Sequence, residues 1–540
     1  MPATPFFDVP PFPGRSVTQF RRIDAPADRR VTFDQCLAAA RTARVGGAYW
    51  ARQPALPARH VLVRAARLPA SCTGLVDEHG PALTWLPAKS RTHTVPGAII
   101  GACDPWHMLA NARALVCRAD DDVRLVAAVM GVPIYLLDDQ GGAAQPWHGD
   151  AGKLLAGAFP VEASFASPFG GKPLDLLGVI ELCAFWRSLI DSNRGICAGA
   201  GFAFWKQDHV LPLLWNGTDT ARFFAAMPTD SDAGAVAIWR SKADPDLTAR
   251  LERQGTPLVE VEDGFLRSKG LGADCVPPLS ITVDRLGAYF DPGQPSELEI
   301  LLEQGAFDAA LIARAARLRE TIVAAGLGKY ESGAQGLDRF DPGKRHVLVA
   351  GQVEDDRSIL TGGCGLSNLD LLRRVRETAP DAFVIYKPHP DVVAGHRKGH
   401  IPEHIGRQFA DMVVTDVSIS SLIAMVDEVH VNTSLAGFEA LMRHKDVTVY
   451  GVPFYAGWGL TRDLGPVPAR RTARRSLDEL VAATLLLYPR YLDPVSGLPA
   501  PAEVVVDRLT APAPARSGLL VTLRRVQGHW NRRLADWRAK

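Results

Sequence analysis

Glu262 and Asp263 are adjacent carboxylates at the end of a mainly apolar run, 257–261, directly before Gly264, where the backbone is free to turn. In open α/β sheets ligands gather outside the carboxyl ends of the strands, so a reacting carboxylate would be wanted at this point. Arg267, Ser268 and Lys269 follow as partners for an anion. Asp-Gly is also a common turn pair, and turn chemistry alone would account for the dipeptide. Further along, Tyr386-Lys-Pro-His-Pro-Asp391 closes another apolar run. Lys387 and His389, stiffened by two prolines, form a compact donor pair for a phosphate at little ordering cost. Thr433 and Ser434 end a third run and open a helical pattern, with Glu439 one turn in. Hydroxyls there cap free N–H groups, and the same helix end suits a phosphate; the two uses are compatible. Glu439 is placed to accept hydrogen bonds from a ribose. Gln352, just after Gly351, is placed to touch a ligand, whereas Glu354, Asp355 and Asp356 read as solvent-facing carboxylates rather than a metal site.

These residues need strands that end together. Apolar runs at 60–63, 98–101, 114–117 and 132–137 alternate with helical stretches, and residues 140–175, rich in Gly, Ala and Pro, read as a linker. A long amphipathic helix over 174–193 opens a second unit with strands at 195–199, 235–239 and 258–261. A helix-rich bridge near 296–326 leads to a third, with strands at 346–350, 382–386, 428–432 and 447–450 and helices at 367–378, 420–425 and 435–443. Such alternation predicts α/β units with parallel sheets and crossover helices. Two of them in series predict paired Rossmann-like domains facing a cleft. There is also an internal echo: residues 114–136 repeat the strand–turn–helix–strand pattern of 428–450 at an offset of 314 (428 − 114). The turn Asn432-Thr-Ser434 corresponds to Arg118-Ala-Asp120, so the first copy keeps the scaffold and lacks the hydroxyls. Asp120–Asp122 reads as a helix start.

At 540 residues the chain divides into about three domains. Its 60 basic and 59 acidic residues leave a net charge of +1, which excludes the broad basic excess of a nucleic-acid binder. Eight cysteines stand singly without Cys-x-x-Cys, implying reduced thiols in a cytoplasmic protein. The proline-rich start lacks the pattern of a signal peptide, and no stretch approaches the roughly 20 apolar residues of a membrane span. Residues 516–540 place Leu519, Leu523, Val526, Trp530, Leu534 and Trp537 at helical spacing among arginines. That pattern suits an anionic membrane surface or docking on the protein's own body.

Several segments together resemble the retaining β-Kdo transferases of Gram-negative capsule assembly, the KpsC type. They run over about residues 174–495: Phe185-Trp-Arg-Ser-Leu-Ile-Asp191, Gly201-Phe-Ala-Phe-Trp-Lys206, Glu262-Asp-Gly-Phe-Leu-Arg-Ser268, Gly351-Gln-Val-Glu-Asp-Asp356, Lys387-Pro-His-Pro-Asp391, Ser434-Leu-Ala-Gly-Phe-Glu-Ala-Leu441 and Gly451-Val-Pro-Phe-Tyr-Ala-Gly-Trp-Gly459. The resemblance implies a GT-B-like fold: a flexible arm 1–30, a degenerate Rossmann-like remnant of a first module 31–150, an acceptor-side Rossmann-like domain 151–335, a CMP-sugar-binding domain 336–495 and a tail 496–540. It implies transfer of Kdo from CMP-β-Kdo to a (lyso)phosphatidylglycerol-linked Kdo glycolipid in capsular polysaccharide biosynthesis and export. Asp263 is then the nucleophile and Glu262 its acid/base or orienting partner. Arg267 and Ser268 would hold the sugar carboxylate; Gln352, Lys387, His389, Thr433, Ser434 and Glu439 would hold donor or acceptor. No cofactor or metal is implied, CMP-Kdo being a substrate. The expected partners are the glycolipid, an anionic inner-membrane surface at its cytoplasmic face and other capsule assembly proteins. Family members often carry two complete modules, whereas this chain has one Glu-Asp-Gly and one His-Pro. A CMP-sialic-acid-type transferase and a non-catalytic capsule-assembly scaffold are the alternative readings.

Overall fold

The computed structural model describes residues 6–27, 29–65, 68–87, 97–138, 140–218, 220, 223–224, 234–266, 278–327, 339–395 and 397–510. The chain forms two compact units, one of residues 1–196 with 214–222 and one of residues 197–213 with 223–540.

The first unit holds a sheet of β1 (His60–Val63), β2 (Ala82–Leu86), β3 (Ile99–Ile100), β4 (Ala112–Cys117), β5 (Ile134–Leu137) and β6 (Ala144–Pro146) in the order 3-2-1-4-5-6. All its pairs are parallel except β5–β6. Strand β1 is buried throughout, as a central strand covered on both faces must be. Helix α1 (Leu176–Asn193) begins where Asp175 accepts the Gly178 N–H, and buries Trp186 and Arg187. Arg187 is matched by the buried Asp104 at 2.6 Å.

Two expectations for this unit are corrected. The Pro-rich start is not a loose arm: Phe6, Phe7, Val9, Phe12 and Phe20 are buried, with Phe12 edge-on to Trp186 and Trp215. Prolines hide this packing because they impose an extended path with no helical or strand period. Residues 140–175 are likewise built in, through β6, the helix Ala151–Ala156 and a strand Ser164–Phe165 paired with Arg22–Ile23.

The second unit has two sheets. The front sheet contains β7 (Ile196–Ala200), β8 (Ala235–Ile238), β9 (Leu258–Asp263), β10 (Ser280–Asp284) and two late strands; the rear sheet contains β11 (His346–Ala350), β12 (Phe383–Lys387), β13 (Met412–Val413), β14 (Glu428–Val431), β15 (Asp446–Val449) and β16 (Arg462–Asp463). The late strands β17 (Pro489–Leu492) and β18 (Pro499–Ala500) return to the front sheet, giving the order 18-17-10-9-8-7. Only part of it is parallel: β8–β9 is, whereas β9–β10, β10–β17 and β17–β18 are antiparallel. The expected border at 495 thus falls between two strands of one sheet, and the stretch after it continues into the helix Ala502–Thr510.

The rear sheet is parallel throughout, in the order 13-12-11-14-15-16. Its strand order repeats that of the first unit's sheet, and it carries the internal echo. Strands β4 and β14 end in register with the offset of 314 (431 − 117). The helices Val123–Met130 and Leu435–Met442, both eight residues long, are offset by 312 (435 − 123), so the first copy's turn is two residues longer.

Three further helices of the second unit are α2 (Phe204–Leu214), α3 (Arg357–Gly362) and α4 (Leu435–Met442). Cys36, Cys72, Cys103, Cys117, Cys183, Cys197 and Cys364 are free thiols. Among the described residues no helix is long and apolar enough to cross a membrane.

Candidate active site

The rear sheet reverses its strand order between β11 and β14, and a crevice outside the strand ends is expected at such a switch point. Gln352 follows β11 and spans it. Its side-chain oxygen accepts the Thr433 N–H at 2.8 Å, its amide donates to Thr433 Oγ1 at 3.1 Å, and its own N–H donates to Asn368 at 2.9 Å. Gln352 is therefore first a brace between two strand-end loops.

Lys387 is the last residue of β12 and is buried, with Nζ donating to the Thr415 carbonyl at 3.1 Å. His389 caps the one-turn helix Pro390–Val393: its Nδ1 accepts the Asp391 N–H at 3.1 Å. A nitrogen accepting that bond carries no proton, so a neutral ring holds its proton on Nε2, as a donor. Ser434 caps α4 by accepting the Ala436 N–H at 3.2 Å, while Tyr455 donates to the Ser434 carbonyl at 2.5 Å. Buried Glu439 lies in the second turn of α4.

On the other wall, β9 runs through Asp263 before Gly264 turns it. A side chain at Gly264 would meet Ser280 Oγ at 2.2 Å, so the turn needs glycine for close approach. Successive side chains on a strand face opposite ways. Glu260 and Glu262 accordingly meet Arg357 on α3, Glu262 at 2.9 Å and Glu260 at 3.4 Å, whereas Asp263 meets Lys206 on α2 at 3.1 Å. The Lys206 ammonium also sits 3.5 Å from the centre of the Trp239 ring, a cation–π contact. Burial pushes the Glu262 carboxyl up to about 7, against the opposing pull of Arg357.

Glu262, Asp263, Lys206 and Arg357 share one cavity of about 1040 Å³ with Gln352, Lys387, His389, Thr433, Ser434 and Glu439. Of the ten residues expected at the site, eight are thus brought together; Arg267 and Ser268 lie outside the described residues, as does the basic stretch 516–540. The three carboxylates after Gln352 have structural partners: Glu354 accepts the Asn368 N–H, Asp355 pairs with Arg397 at 3.1 Å, and Asp356 caps α3. Lys206 and Arg357 were not expected. Lys206 stands inside a recognisable segment, but nothing in its neighbours tells that it meets a carboxylate 57 positions on.

Two Rossmann-like lobes lining one cavity with carboxylates on one side and phosphate-type donors on the other define a GT-B-like protein, and residues 234–491 match the family described as capsule polysaccharide biosynthesis protein. The solved structure of Thermosulfurimonas dismutans KpsC, described as a beta Kdo 2,4 transferase, is 32% identical with a TM-score of 0.51, over 59% of this chain and 98% of that one. The chain belongs to the KpsC-type family. It is also 38% identical, over 66% of its length, to the capsule polysaccharide modification protein LipA of Neisseria meningitidis serogroup A / serotype 4A, covering 51% of that protein. Over 47% of its length it is 49% identical to the lipopolysaccharide-processing protein LpsZ of Rhizobium meliloti, covering 58% of it. The chain spans about half the length of these curated relatives.

Proposed function

We propose that the chain is a retaining glycosyltransferase of capsular polysaccharide biosynthesis, moving Kdo from CMP-β-Kdo to a (lyso)phosphatidylglycerol-linked Kdo glycolipid at the inner face of the cytoplasmic membrane. The observation that carries this reading is the shared cavity, which joins Glu262 and Asp263 to Lys387, His389 and Ser434. The CMP phosphate would lie against Lys387, the Nε2–H of His389 and the N-terminus of α4, where its charge is neutralised as it leaves.

Retention by double displacement needs a carboxylate beneath the anomeric carbon. The Asp263 carboxylate attacks that carbon, and the bond to the phosphate oxygen breaks with its electron pair going to CMP. An acceptor hydroxyl then attacks the same carbon, the bond to Asp263 breaks with its pair returning to the carboxylate, and the hydroxyl proton goes to Glu262. A carboxyl near 7 is matched to proton transfer at neutral pH. Lys206 aims Asp263 through its charge-assisted bond. Arg267 and Ser268 are assigned to the sugar's carboxylate, which a planar guanidinium suits.

The test is transfer from CMP-Kdo to a synthetic Kdo glycolipid, read by mass spectrometry. Asp263→Ala should abolish product while leaving the circular dichroism spectrum unchanged. Near-normal turnover in that variant would remove Asp263 as nucleophile, and preference for CMP-sialic acid over CMP-Kdo would replace the donor.

A further inference from the structure

Arg357 is the first residue of α3, beside the Asp356 that caps it. A cation there opposes the helix dipole, so the placement needs compensation from outside the helix. The front lobe supplies it. The guanidinium reaches Glu262 Oε1 at 2.9 Å and Glu260 Oε2 at 3.4 Å, and lies 5.1 Å from the centre of the Phe290 ring. The other oxygen of Glu260 accepts from Arg240 Nε at 2.8 Å. The charges Arg240, Glu260, Arg357 and Glu262 therefore alternate in sign from the end of the front sheet into a helix of the rear lobe.

We infer that Arg357 is a positioning residue, bridging Glu260 and Glu262 from the rear lobe so that approach of the two lobes fixes the charge and aim of Glu262. The inference rests on the transferase reading above. The ionisable groups facing Glu262 are Glu260 on its own strand, Asp263 next in sequence, Arg357 on α3 and Lys206 on α2. With Arg357 withdrawn, burial and two neighbouring carboxylates all favour the protonated acid, and only Lys206 opposes them. With Arg357 docked, as in this structure, the carboxyl is held down to about 7, so that above that pH the proton passes to solvent. The carboxylate can then accept the acceptor's hydroxyl proton in the second displacement. One guanidinium thus ties cleft closure to readiness of the base.

The test uses the full chain without donor or acceptor. The infrared carboxyl band that disappears in Glu262→Gln is titrated in the wild type, in Arg357→Ala and in Arg357→Lys. The midpoint should rise by about one pH unit in Arg357→Ala, a tenfold change in proton affinity. It should rise less in Arg357→Lys, whose point charge remains but cannot span both carboxylates. The acidic limb of the kcat/KM profile for CMP-Kdo should move by the same amount, with kcat falling and donor KM within about twofold. An unmoved midpoint in Arg357→Ala overturns the inference, as does a pH profile parallel to the wild type's. If Arg357→Ala fails to fold, an unmoved midpoint in Arg357→Lys overturns it equally. If the wild type transfers no Kdo, the transferase reading falls, and the infrared midpoint still decides the role of Arg357.

Discussion

Burial and Arg357 pull the Glu262 carboxyl in opposite directions, and burial, the larger influence, leaves it at about 7 against an ordinary 4.5. The folded protein therefore holds a proton that the unfolded chain has already released between those values. Stability from this group is fully present below about pH 4.5 and is lost as pH rises through about 7. Glu262→Gln should consequently raise Tm at about pH 8 and leave it nearly unchanged at about pH 4.5; a lower Tm at the higher pH would mean that the ion pair outweighs burial. His389 allows a second expectation. Removing its ring deletes one bond to a charged phosphate, so His389→Ala should weaken CMP binding by roughly 1.5–3 kcal/mol, about ten- to a hundredfold by calorimetry. Unchanged affinity would take His389 out of the donor site. Asp263, Lys387 and Ser434 were legible because each ends an apolar run, a position visible in one dimension. Lys206 and Arg357 were not, because their partners lie 57 and 95 positions away and are reached only through the fold.

The elements explain how such a site stays open and rigid. Helix α4 begins at Ser434, whose carbonyl is held by Tyr455, and Gly437 lies one turn in beneath the same phenol. A side chain at Gly437 would meet the Tyr455 hydroxyl at 2.3 Å. Gly437→Ala should therefore displace Tyr455 or tilt the helix start, destabilising the chain by about 1–3 kcal/mol as overpacking does and weakening CMP binding with it. Denaturant unfolding and calorimetry check the two effects, and an unaltered CMP affinity would show that the helix start takes no part in donor binding. Periodicity located this helix because its pattern is local. The antiparallel strands β10, β17 and β18 escaped the same reading. Each is five residues or shorter, and β17 and β18 join a sheet whose other members lie about two hundred or more positions earlier. No alternation with helices announces strands of that kind.

At the scale of the molecule, two sheets share one strand order, but their switch points are furnished differently. In the rear sheet the strand ends present Lys387, the loop of Thr433 and Ser434, and a cavity. In the first unit the corresponding ends of β1 and β4 are tied together by side chains. Arg64 pairs with Asp121 at 2.8 Å, donates to the Trp85 carbonyl at 3.0 Å and lies 4.1 Å from the centre of the Trp85 ring. Trp85 in turn donates to the Gly101 carbonyl at 2.8 Å, and Asp121 accepts the Val123 N–H at the start of its helix. The internal echo disclosed the common scaffold and the missing hydroxyls; the partner of Asp121 could not be read, since Arg64 lies 57 positions before it. A phosphate approaching those strand ends would meet a carboxylate and would have to break the Arg64 pair, both unfavourable to an anion. The chain should therefore bind one CMP, not two, when titrated to saturation by calorimetry. Lys387→Ala should weaken that single binding event without uncovering another. A second equivalent of CMP that survives Lys387→Ala would show that the first unit's switch point still accepts a nucleotide and that Arg64 yields to it.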